Sequence, residues 1–268
     1  LKYNDTKYCN HNSFRRTRAR SVRIRTMSTL IFDIETVGES WDLLDAVTQE
    51  ILTRWVDRTA GSEEEREAGR KDIREGLGFS PLTGMIVAIG LYDLERKQGV
   101  VYYQDGGEGG ETPSGEFVLK SRTEKDMLQD FWDGAKLYDT FVTFNGRGFD
   151  VPFLNLRSAI HGIRPSQDLM DGRYLYQQKR VHHIDLQDQM TFYGAMHKRP
   201  SLHLFCRAFG IESPKAEGVA GDDVAELFHT KKFVDIARYN ARDVIATTAL
   251  YQKWLKYFAP AGFLNTFE

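Results

Sequence analysis

The chain has 268 residues, 41% of them hydrophobic and 12% aromatic, which is enough for one large or two small domains with a substantial core. No stretch approaches the roughly 20 consecutive apolar residues that cross a membrane, so we expect no membrane partner. The two cysteines, Cys9 and Cys206, lie far apart, which argues against a disulfide framework or a cysteine-based zinc site. This composition suits a reducing compartment, and we expect a cytoplasmic protein.

The formal net charge of −2 conceals a strongly basic start to the chain. Residues 1–26 contain eight Lys and Arg and one acid, whereas residues 27–268 contain 28 Lys and Arg and 37 acids. An arginine-rich start resembles an organelle transit peptide or a nucleic-acid-binding arm. Because Met27 directly precedes the strand-like "STLIFDIET", we interpret residues 1–26 as a non-native or mis-assigned extension, with a functional arm as the alternative. The acidic remainder is not typical of a protein that coats duplex DNA.

Hydrophobic periodicity predicts a mixed α/β fold, with residues 27–268 as a single domain. The first strand lies in "TLIFDIETVG" (29–38), and a long, charged, helical segment follows at 41–78, which we interpret as an insertion. The Gly-rich and acidic residues 105–116 are predicted to be a flexible loop, because they lack the Lys and the spacing of a phosphate-binding loop. The remaining predicted strands are 84–93, 99–104, 140–146 and 182–190, and the remaining predicted helices are 121–135, one that starts near Asp150, 201–211 and 233–258.

Two acids lie inside the first predicted strand, where the burial of charge is costly. Side chains alternate across a strand, so Asp33 and Glu35 emerge side by side on one face, while Phe32 and Ile34 face the other way. Like charges this close repel each other. An Arg or a backbone partner could satisfy them, but two such acids on one buried strand favour a functional site.

Two further acids lie where the sequence gives them no clear structural role. Asp150 follows a predicted strand and an Asn-Gly turn in "TFNGRGFDVPFL", and by itself it could be the N-cap of a helix. Asp243 lies in the last predicted helix, four residues after Tyr239, so both lie on one helical face. By themselves, Asp243 could be a surface acid and Tyr239 a core residue.

The four acids Asp33, Glu35, Asp150 and Asp243 form an all-oxygen ligand set without Cys or His. Such a set suits Mg²⁺ or Mn²⁺ and not zinc. A divalent cation would offset the repulsion between the two acids of the first strand. Two such cations about 4 Å apart can activate a water and stabilise the leaving oxygen in phosphodiester cleavage.

These residues resemble the motifs of a known family. "FDIET", "TFNGRGFDVPFL" and "YNARD" are similar, in that order, to the three motifs of the Asp-Glu-Asp-Asp 3′–5′ exonucleases. The tyrosine of the third motif resembles that of the tyrosine subclass, and the second motif is especially similar to the proofreading domains of family B DNA polymerases. The resemblance spans about residues 28–256 and implies a ribonuclease H-like fold, a mixed β-sheet flanked by helices.

The resemblance also implies a role for each matching residue. Asp33, Glu35 and Asp243 would hold the cation that activates the attacking water. Asp33 would bridge to a second cation, which Asp150 would hold partly through water. Tyr239 would orient the water or the scissile phosphate, since an unperturbed tyrosine is a poor base at neutral pH. Weaker carry-overs place Thr36 near the terminal nucleotide and Asn145 and Phe149 along the path of the strand.

Residues 145–215 contain ten Lys and Arg, six acids and five histidines, although the chain after residue 26 is acidic. This charge could form a positive path for a phosphate backbone, with Arg147 and Lys215 nearest the motifs, or it could be plain surface charge. The adjacent histidines at 182–183 are interpreted as a strand edge rather than a metal pair, because neighbouring strand residues point to opposite faces. Asp185 could serve as a supporting carboxylate and is not assigned to the ligand set.

We therefore expect a two-metal-ion 3′–5′ exonuclease that hydrolyses single-stranded nucleic acid from a free 3′ end, with DNA preferred. The remaining residues leave no room for a polymerase, so we expect either a freestanding enzyme or one that works beside a polymerase or repair protein as a separate chain. The alternatives are an RNA 3′-end-trimming exonuclease and a catalytically silent nucleic-acid-binding module. A metal-stabilised structural protein would differ from all of these, because its folding would depend on the metal.

Overall fold

The computed structural model describes residues 28–106, 109–214, 223–260 and 263. The strands in these ranges are β1 (Thr29–Gly38), β2 (Gly84–Asp93), β3 (Gln98–Tyr103), β4 (Glu111–Ser114), β5 (Phe117–Ser121), β6 (Thr140–Thr143) and β7 (His182–Asp185). The α-helices are α1 (Ala46–Thr59), α2 (Glu63–Glu75), α3 (Glu124–Ala135), α4 (Asp150–Ile160), α5 (Leu186–Met190), α6 (Leu202–Phe209), α7 (Val224–His229) and α8 (Phe233–Tyr257). No helix within these ranges has both the length and the apolar character that crossing a membrane requires.

All seven strands form one mixed sheet in the order β4-β5-β3-β2-β1-β6-β7. β1 lies antiparallel to β2 and parallel to β6, and β6 lies parallel to β7. The register pairs Ile31 with Val142 and Thr143 with Asp185, so β6 and β7 end close to the level of Asp33 on β1. The segments that follow β6 and β7 therefore leave the sheet beside the acids of β1.

Alternation along β1 sends its side chains into two separate cores. Leu30, Phe32 and Ile34 are at most 4% exposed and belong to the core that includes α3 and α4. Ile31 faces the opposite core, which includes much of α8. Asp33 and Glu35 lie on this second face, toward α8, as the strand pattern predicts.

Two helices occupy the segment 41–78, which confirms its predicted helical character. The side chain of Asp45 caps the N-terminus of α1, and that of Ser62 caps α2. Gly69 of α2 lets the helices approach closely, since a Cβ at that position would lie 2.8 Å from the Val56 side chain of α1. The interpretation of this segment as an insertion stays a prediction.

The interpretation of residues 105–116 as a flexible loop was wrong for its last part. Residues Glu111–Ser114 form β4, which pairs with β5 at the edge of the sheet. Pro113 lies in β4 opposite Val118, and an edge strand is the place where a sheet tolerates proline. The polar sequence of β4 carries no alternating pattern, so only its pairing with β5 defines it as a strand.

The predicted strand at 182–190 was also wrong in its second half. The strand ends at Asp185, and the chain continues as α5. The Asp185 carboxylate accepts hydrogen bonds from the N–H groups of Gln187 and Asp188, and it thereby caps this helix. The predicted basic extension, residues 1–26, lies outside the described residues.

Candidate metal centre

Asp33, Glu35 and Asp243 form a compact carboxylate cluster between β1 and α8. Each residue contributes a carboxylate oxygen, and these oxygens all lie within 4.8 Å of one another. Asp33 and Glu35 project from one face of β1 because they are two residues apart, and Asp243 meets them from α8. The structure thus brings together three of the four predicted metal ligands.

The pairing of β1 with β2 makes room for α8 at this point. The register shifts between Glu35 and Thr36, so an irregularity of the β-bulge type lies directly beside the cluster. Gly90 of β2 pairs with Asp33, and a Cβ at Gly90 would lie 2.1 Å from Oδ1 of Asn240 on α8. A glycine at this position therefore allows Asn240 to lie against the strand.

Asn240 is fully buried and links α8 to both acids of β1. Its Nδ2 donates a hydrogen bond to Oδ2 of Asp33 at 2.8 Å and a longer one to Oε1 of Glu35 at 3.5 Å. Its Oδ1 is buried and has no hydrogen-bond partner within the described part of the chain. Donation to a carboxylate favours the charged form, so Asn240 partly offsets the repulsion between the two acids.

Asp150 lies beside the cluster and is held by the backbone of β1. It is the first residue of α4, and its Oδ1 accepts a hydrogen bond from the N–H of Ile34 at 3.1 Å. The N-cap position of this helix belongs to Phe149, so Asp150 does not have the capping role that its sequence position allows. Burial, together with the charges of Asp185 and Asp243, raises the pKa of Asp150 to about 7.

The electrostatics of the cluster favour a bound cation. Burial, reinforced by the charges of the neighbouring carboxylates, raises the pKa of Asp33 well above its ordinary value. Burial and the charge of Asp243 do the same for the pKa of Glu35. Among the residues that the structure describes, no Lys or Arg forms an ion pair with Asp33, Glu35 or Asp150. The all-oxygen donor set and the uncompensated charge therefore fit Mg²⁺ or Mn²⁺.

Tyr239 lies one turn before Asp243 on α8 and is 4% exposed. Its hydroxyl is hydrogen-bonded to the Asp243 carboxylate. Burial and the charges of Asp243 and Glu35 raise the pKa of Tyr239 well above its ordinary value. The phenol therefore stays protonated at neutral pH, where it can donate a hydrogen bond and cannot act as a base.

The sequence matches a family model over residues 111–266, and the family is described as a predicted 3′–5′ exonuclease related to the exonuclease domain of PolB. The chain belongs to this family. Asp150, Tyr239 and Asp243 lie inside the matched range, whereas β1 with Asp33 and Glu35 precedes it. Membership of this PolB-related exonuclease family supports a nuclease function.

The fold agrees with the family. Among 174 matching chains of solved structures is the family B DNA polymerase from the hyperthermophilic archaeon Pyrobaculum calidifontis, at a TM-score of 0.53 and 19% sequence identity. The match covers 85% of this chain and 24% of the polymerase chain, so the chain spans about a quarter of that polymerase. A search of curated proteins gives no match. The protein therefore has the predicted α/β, ribonuclease H-like fold, with a mixed sheet and flanking helices.

In this member of the PolB-related exonuclease family, Asp185 holds the turn that leads to Asp150. Its two carboxylate oxygens accept hydrogen bonds from the N–H groups of Asn145 and Arg147, both at 2.9 Å. Asn145 adopts a left-handed backbone conformation with φ of 63°, which asparagine tolerates better than most residues. Asp185 therefore supports the site without belonging to the carboxylate cluster.

The four predicted substrate contacts that the structure describes are not members of the carboxylate cluster. The Arg147 guanidinium donates hydrogen bonds to the carbonyl oxygens of Leu169 and Met170, at 3.2 and 2.9 Å. Burial lowers the pKa of this guanidinium. Phe149 packs against Phe153, with 5.0 Å between the ring centroids.

Thr36 contacts the end of the 41–78 segment. Its Oγ1 donates a hydrogen bond to the carbonyl oxygen of Gly78 at 2.7 Å, which attaches this segment to β1. Lys215 lies outside the described residues. For all five predicted substrate-binding residues, contact with nucleic acid stays a prediction.

The sequence analysis did not identify Asn240, and it did not predict that Asp185 holds the Asn145–Arg147 turn. Asn240 stands within "YNARD" three residues before Asp243, a spacing that places both on one face of a helix and could have identified it. The hydrogen bonds of Asp185 to Asn145 and Arg147 cross about 40 residues of chain and carry no local sequence signal.

Proposed function

We propose that this protein is a two-metal-ion 3′–5′ exonuclease of the tyrosine subclass. It would remove nucleotides from the 3′ end of single-stranded nucleic acid, with DNA preferred. The observation that carries the proposal is the buried cluster of Asp33, Glu35 and Asp243, with Asp150 beside it. The family description supports the nuclease chemistry and the direction of cleavage.

Each acid of the site has a distinct position from which to act. Asp33, Glu35 and Asp243 would hold one divalent cation, and Asp33 together with Asp150 would hold a second. Mg²⁺ or Mn²⁺ bound there would lower the pKa of a water nucleophile and offset the charge on the leaving oxygen. Asn240 keeps two of these carboxylates in place through its hydrogen bonds, and the Ile34 N–H does so for Asp150.

Tyr239 would act as a hydrogen-bond donor in this site. Its raised pKa keeps the proton on the phenol, and the hydrogen bond to Asp243 fixes the hydroxyl near the carboxylates. With its single proton released from Asp243, the hydroxyl could donate to the scissile phosphate or to the attacking water, whereas removal of a proton from the water would need a different group. Cooperation with a polymerase or repair protein is also part of the proposal.

The decisive experiment is digestion of a 5′-labelled single-stranded DNA oligonucleotide beside an RNA of the same sequence. The reactions contain Mg²⁺, Mn²⁺ or EDTA, and they compare the wild type with Asp33→Ala. The matched control is Asp133→Ala, since Asp133 is an exposed acid on α3 and lies outside the three motifs. A third oligonucleotide carries a phosphorothioate at its 3′-terminal linkage, which slows an enzyme that starts at that end.

We expect a metal-dependent ladder that shortens from the 3′ end, is absent for Asp33→Ala and is retained for Asp133→Ala. Faster digestion of DNA than of RNA supports the proposed preference, and the reverse indicates the RNA-trimming alternative. Intact oligonucleotides in every lane, with binding retained, would mean a catalytically silent module. A thermal melt in EDTA completes the test, because a fold that survives chelation excludes a metal-stabilised structural protein.

A further inference from the structure

Three tyrosines with no role in the metal centre form a cluster at the surface. The rings of Tyr174 and Tyr176 are stacked, with an interplanar angle of 12° and 5.7 Å between centroids. The Tyr193 ring lies 4.6 Å from that of Tyr174, at 60°. Tyr176 is 83% exposed and Tyr174 37%, so this tyrosine cluster leaves large aromatic faces in contact with water. Packing of the core does not explain such exposure.

The loop that carries Tyr174 and Tyr176 is anchored to the protein interior by buried side chains. Leu175 lies between them and is buried in the core, so the two tyrosines are directed outward. The buried side chain of Gln178 donates hydrogen bonds to the carbonyl oxygens of Gly172 and His183, and it accepts one from the His183 N–H at 2.8 Å. These contacts order the aromatic faces before any ligand arrives, which lowers the entropic cost of binding.

The third ring is positioned by an unusual stretch of backbone. Phe192 and Tyr193 both have positive φ, at 52° and 56°, a conformation that is costly for residues with a Cβ. The side-chain amide of Gln189 donates a hydrogen bond to the Tyr193 hydroxyl at 2.6 Å and fixes the ring beside Tyr174. Strain of this kind is concentrated at functional sites, so it supports a use for the tyrosine cluster.

A continuous set of contacts joins the tyrosine cluster to the turn that carries Asp150. Arg173, the neighbour of Tyr174, forms a bidentate ion pair with Asp188, in which its Nε and Nη2 lie 3.0 and 2.8 Å from the two carboxylate oxygens. Asp188 lies one turn after Asp185 in the chain, and Asp185 holds the Asn145–Arg147 turn. The Arg147 guanidinium binds the Leu169 and Met170 carbonyls, which fixes the loop before the tyrosines to the same turn. The tyrosine cluster is therefore linked through direct contacts to the turn that leads to Asp150.

The charge around the tyrosine cluster suits a polyanion. Lys179, Arg180, Lys198 and Arg199 are all exposed and flank the cluster in the chain. No described carboxylate lies within 4 Å of any of these four cations. Of the nearby acids, Asp188 is neutralised by Arg173, and Asp171 accepts a hydrogen bond from the Lys179 N–H. Exposed aromatic faces among free cations are the combination by which proteins bind single-stranded nucleic acid without sequence preference.

We propose that Tyr174, Tyr176 and Tyr193 form a stacking platform for bases of the single strand upstream of its 3′ end. The inference rests on the proposed exonuclease function, because it names how that site would hold its substrate. The ligand is single-stranded DNA or RNA, whose bases stack on the tyrosines while Lys179, Arg180, Lys198 and Arg199 contact the phosphates. The platform accounts for the exposure of the rings, the rigidity of their loop and the strained backbone at 192–193.

The first test compares Tyr176→Ala with the wild type on a 12-nucleotide single-stranded DNA in Mg²⁺. Tyr257→Ala is the control, because Tyr257 is also highly exposed but lies in the last turn of α8. Loss of one stacked base should raise KM by roughly 5- to 100-fold, and KM should change more than kcat. Tyr257→Ala should leave KM unchanged, and Tyr176→Trp should restore it. Circular dichroism verifies that each variant is folded.

A substrate without bases separates stacking from charge. We expect the KM ratio of Tyr176→Ala to wild type to fall to about one when the upstream nucleotides are abasic, since such a strand retains its phosphates but has nothing to stack. An unchanged KM for Tyr176→Ala on the ordinary strand, or an equal loss on the abasic strand, would overturn the proposal.

A third measurement is independent of catalysis. In EDTA, a 12-nucleotide oligothymidylate should quench the added fluorescence of Tyr176→Trp relative to the wild type, and the abasic strand should not. Quenching without hydrolysis by any form of the protein would leave the platform standing and refute the exonuclease. Hydrolysis without quenching would refute the platform and leave the exonuclease standing.

Discussion

Two buried glutamates of this protein have nearly the same exposure and opposite surroundings. Glu35 is 9% exposed and Glu124 is 7% exposed. The carboxylate of Glu124 accepts hydrogen bonds from the Ile86 N–H at 2.8 Å, from the Arg157 guanidinium at 2.8 and 2.7 Å, and from His161 at 2.7 Å. The surroundings of Glu35 are two other carboxylates and one amide.

The difference appears in the acidity of the two groups. Burial alone would raise the pKa of Glu124, but the hydrogen bonds from Arg157, His161 and Ile86 outweigh burial and lower it. Burial and the charge of Asp243 raise the pKa of Glu35. A buried acid that the protein itself compensates supports the fold, whereas a buried acid surrounded by other acids is prepared for a cation.

The largest effect expected from this comparison is on catalysis. Glu35→Gln keeps the shape of the side chain but removes one charge from the proposed ligand set. We expect the rate of 3′-end hydrolysis to fall on the order of a thousandfold, which corresponds to about 4 kcal/mol. The measurement is single-turnover digestion of labelled single-stranded DNA in Mg²⁺, with the exposed Glu50→Gln of α1 as the control. A loss below about tenfold would mean that Glu35 does not hold the metal.

The next effect is on stability and concerns the other glutamate. Glu124→Gln leaves the Arg157 guanidinium, which is only 11% exposed, without its charged partner. Loss of one member of a buried pair costs about 3–5 kcal/mol of unfolding free energy. Urea denaturation measures this loss of unfolding free energy. The control is Glu67→Gln, which breaks an exposed pair with Arg74 and should cost under about 1 kcal/mol.

Equal losses for Glu124→Gln and Glu67→Gln would contradict a structural role for Glu124. The hydrolysis rate of Glu124→Gln gives a second comparison with Glu35→Gln. At a temperature where Glu124→Gln is still folded, the rate per folded molecule should stay close to that of the wild type, since the Glu124 network lies outside the carboxylate cluster.

A smaller effect is expected at Asn240, which supports two of the proposed metal ligands. Asn240→Ala removes the hydrogen bonds to Asp33 and Glu35. Loss of such a supporting contact typically weakens metal affinity by about 10- to 100-fold. Calorimetric titration with Mn²⁺ measures the affinity, with Gln129→Ala on the exposed face of α3 as the control. Unchanged affinity in Asn240→Ala would assign this asparagine to packing alone.

These two glutamates also show what the sequence could and could not predict. The acids of the carboxylate cluster could be predicted because each lies in a short motif whose spacing is set by a strand or a helix, as for Asp33 with Glu35 and Tyr239 with Asp243. The ribonuclease H-like fold was implied by the resemblance of those motifs to the 3′–5′ exonucleases. The structural role of Glu124 was not predicted, because its partners Ile86, Arg157 and His161 lie 38, 33 and 37 residues away in the chain. No local sequence pattern indicates contacts over such separations.

Other misses have the same physical origin. β4 is a strand only because β5 pairs with it, and Asp185 ends a strand because its side chain caps α5. The space that Gly90 leaves for Asn240 depends on how β2 and α8 meet. Such features depend on contacts between distant segments, which a reading of local periodicity does not contain.

The smallest expected effect is the dependence of stability on pH in EDTA, where the two glutamates should act in opposite directions. The pKa of Glu35 is raised in the folded state, so the folded protein binds more protons than the unfolded chain, and stability falls as pH rises above about 4.5. Glu35→Gln removes this loss and should be more stable than the wild type at pH 8. The pKa of Glu124 is lowered, so its contribution is present above about 4.5 and disappears as pH falls.

Urea titrations at pH 4.5, 6 and 8 measure how the free energy of unfolding depends on pH for each protein. A wild type that is more stable than Glu35→Gln at pH 8 in EDTA would contradict the electrostatic account of the cluster. Mg²⁺ should then reverse the order of the two proteins, since a ligand that binds only the folded state adds stability in proportion to its affinity. The charge of Glu35 that destabilises the metal-free protein is the same charge that would bind the cation. One residue should therefore be unfavourable without metal and favourable with it, whereas Glu124 should be favourable in both conditions.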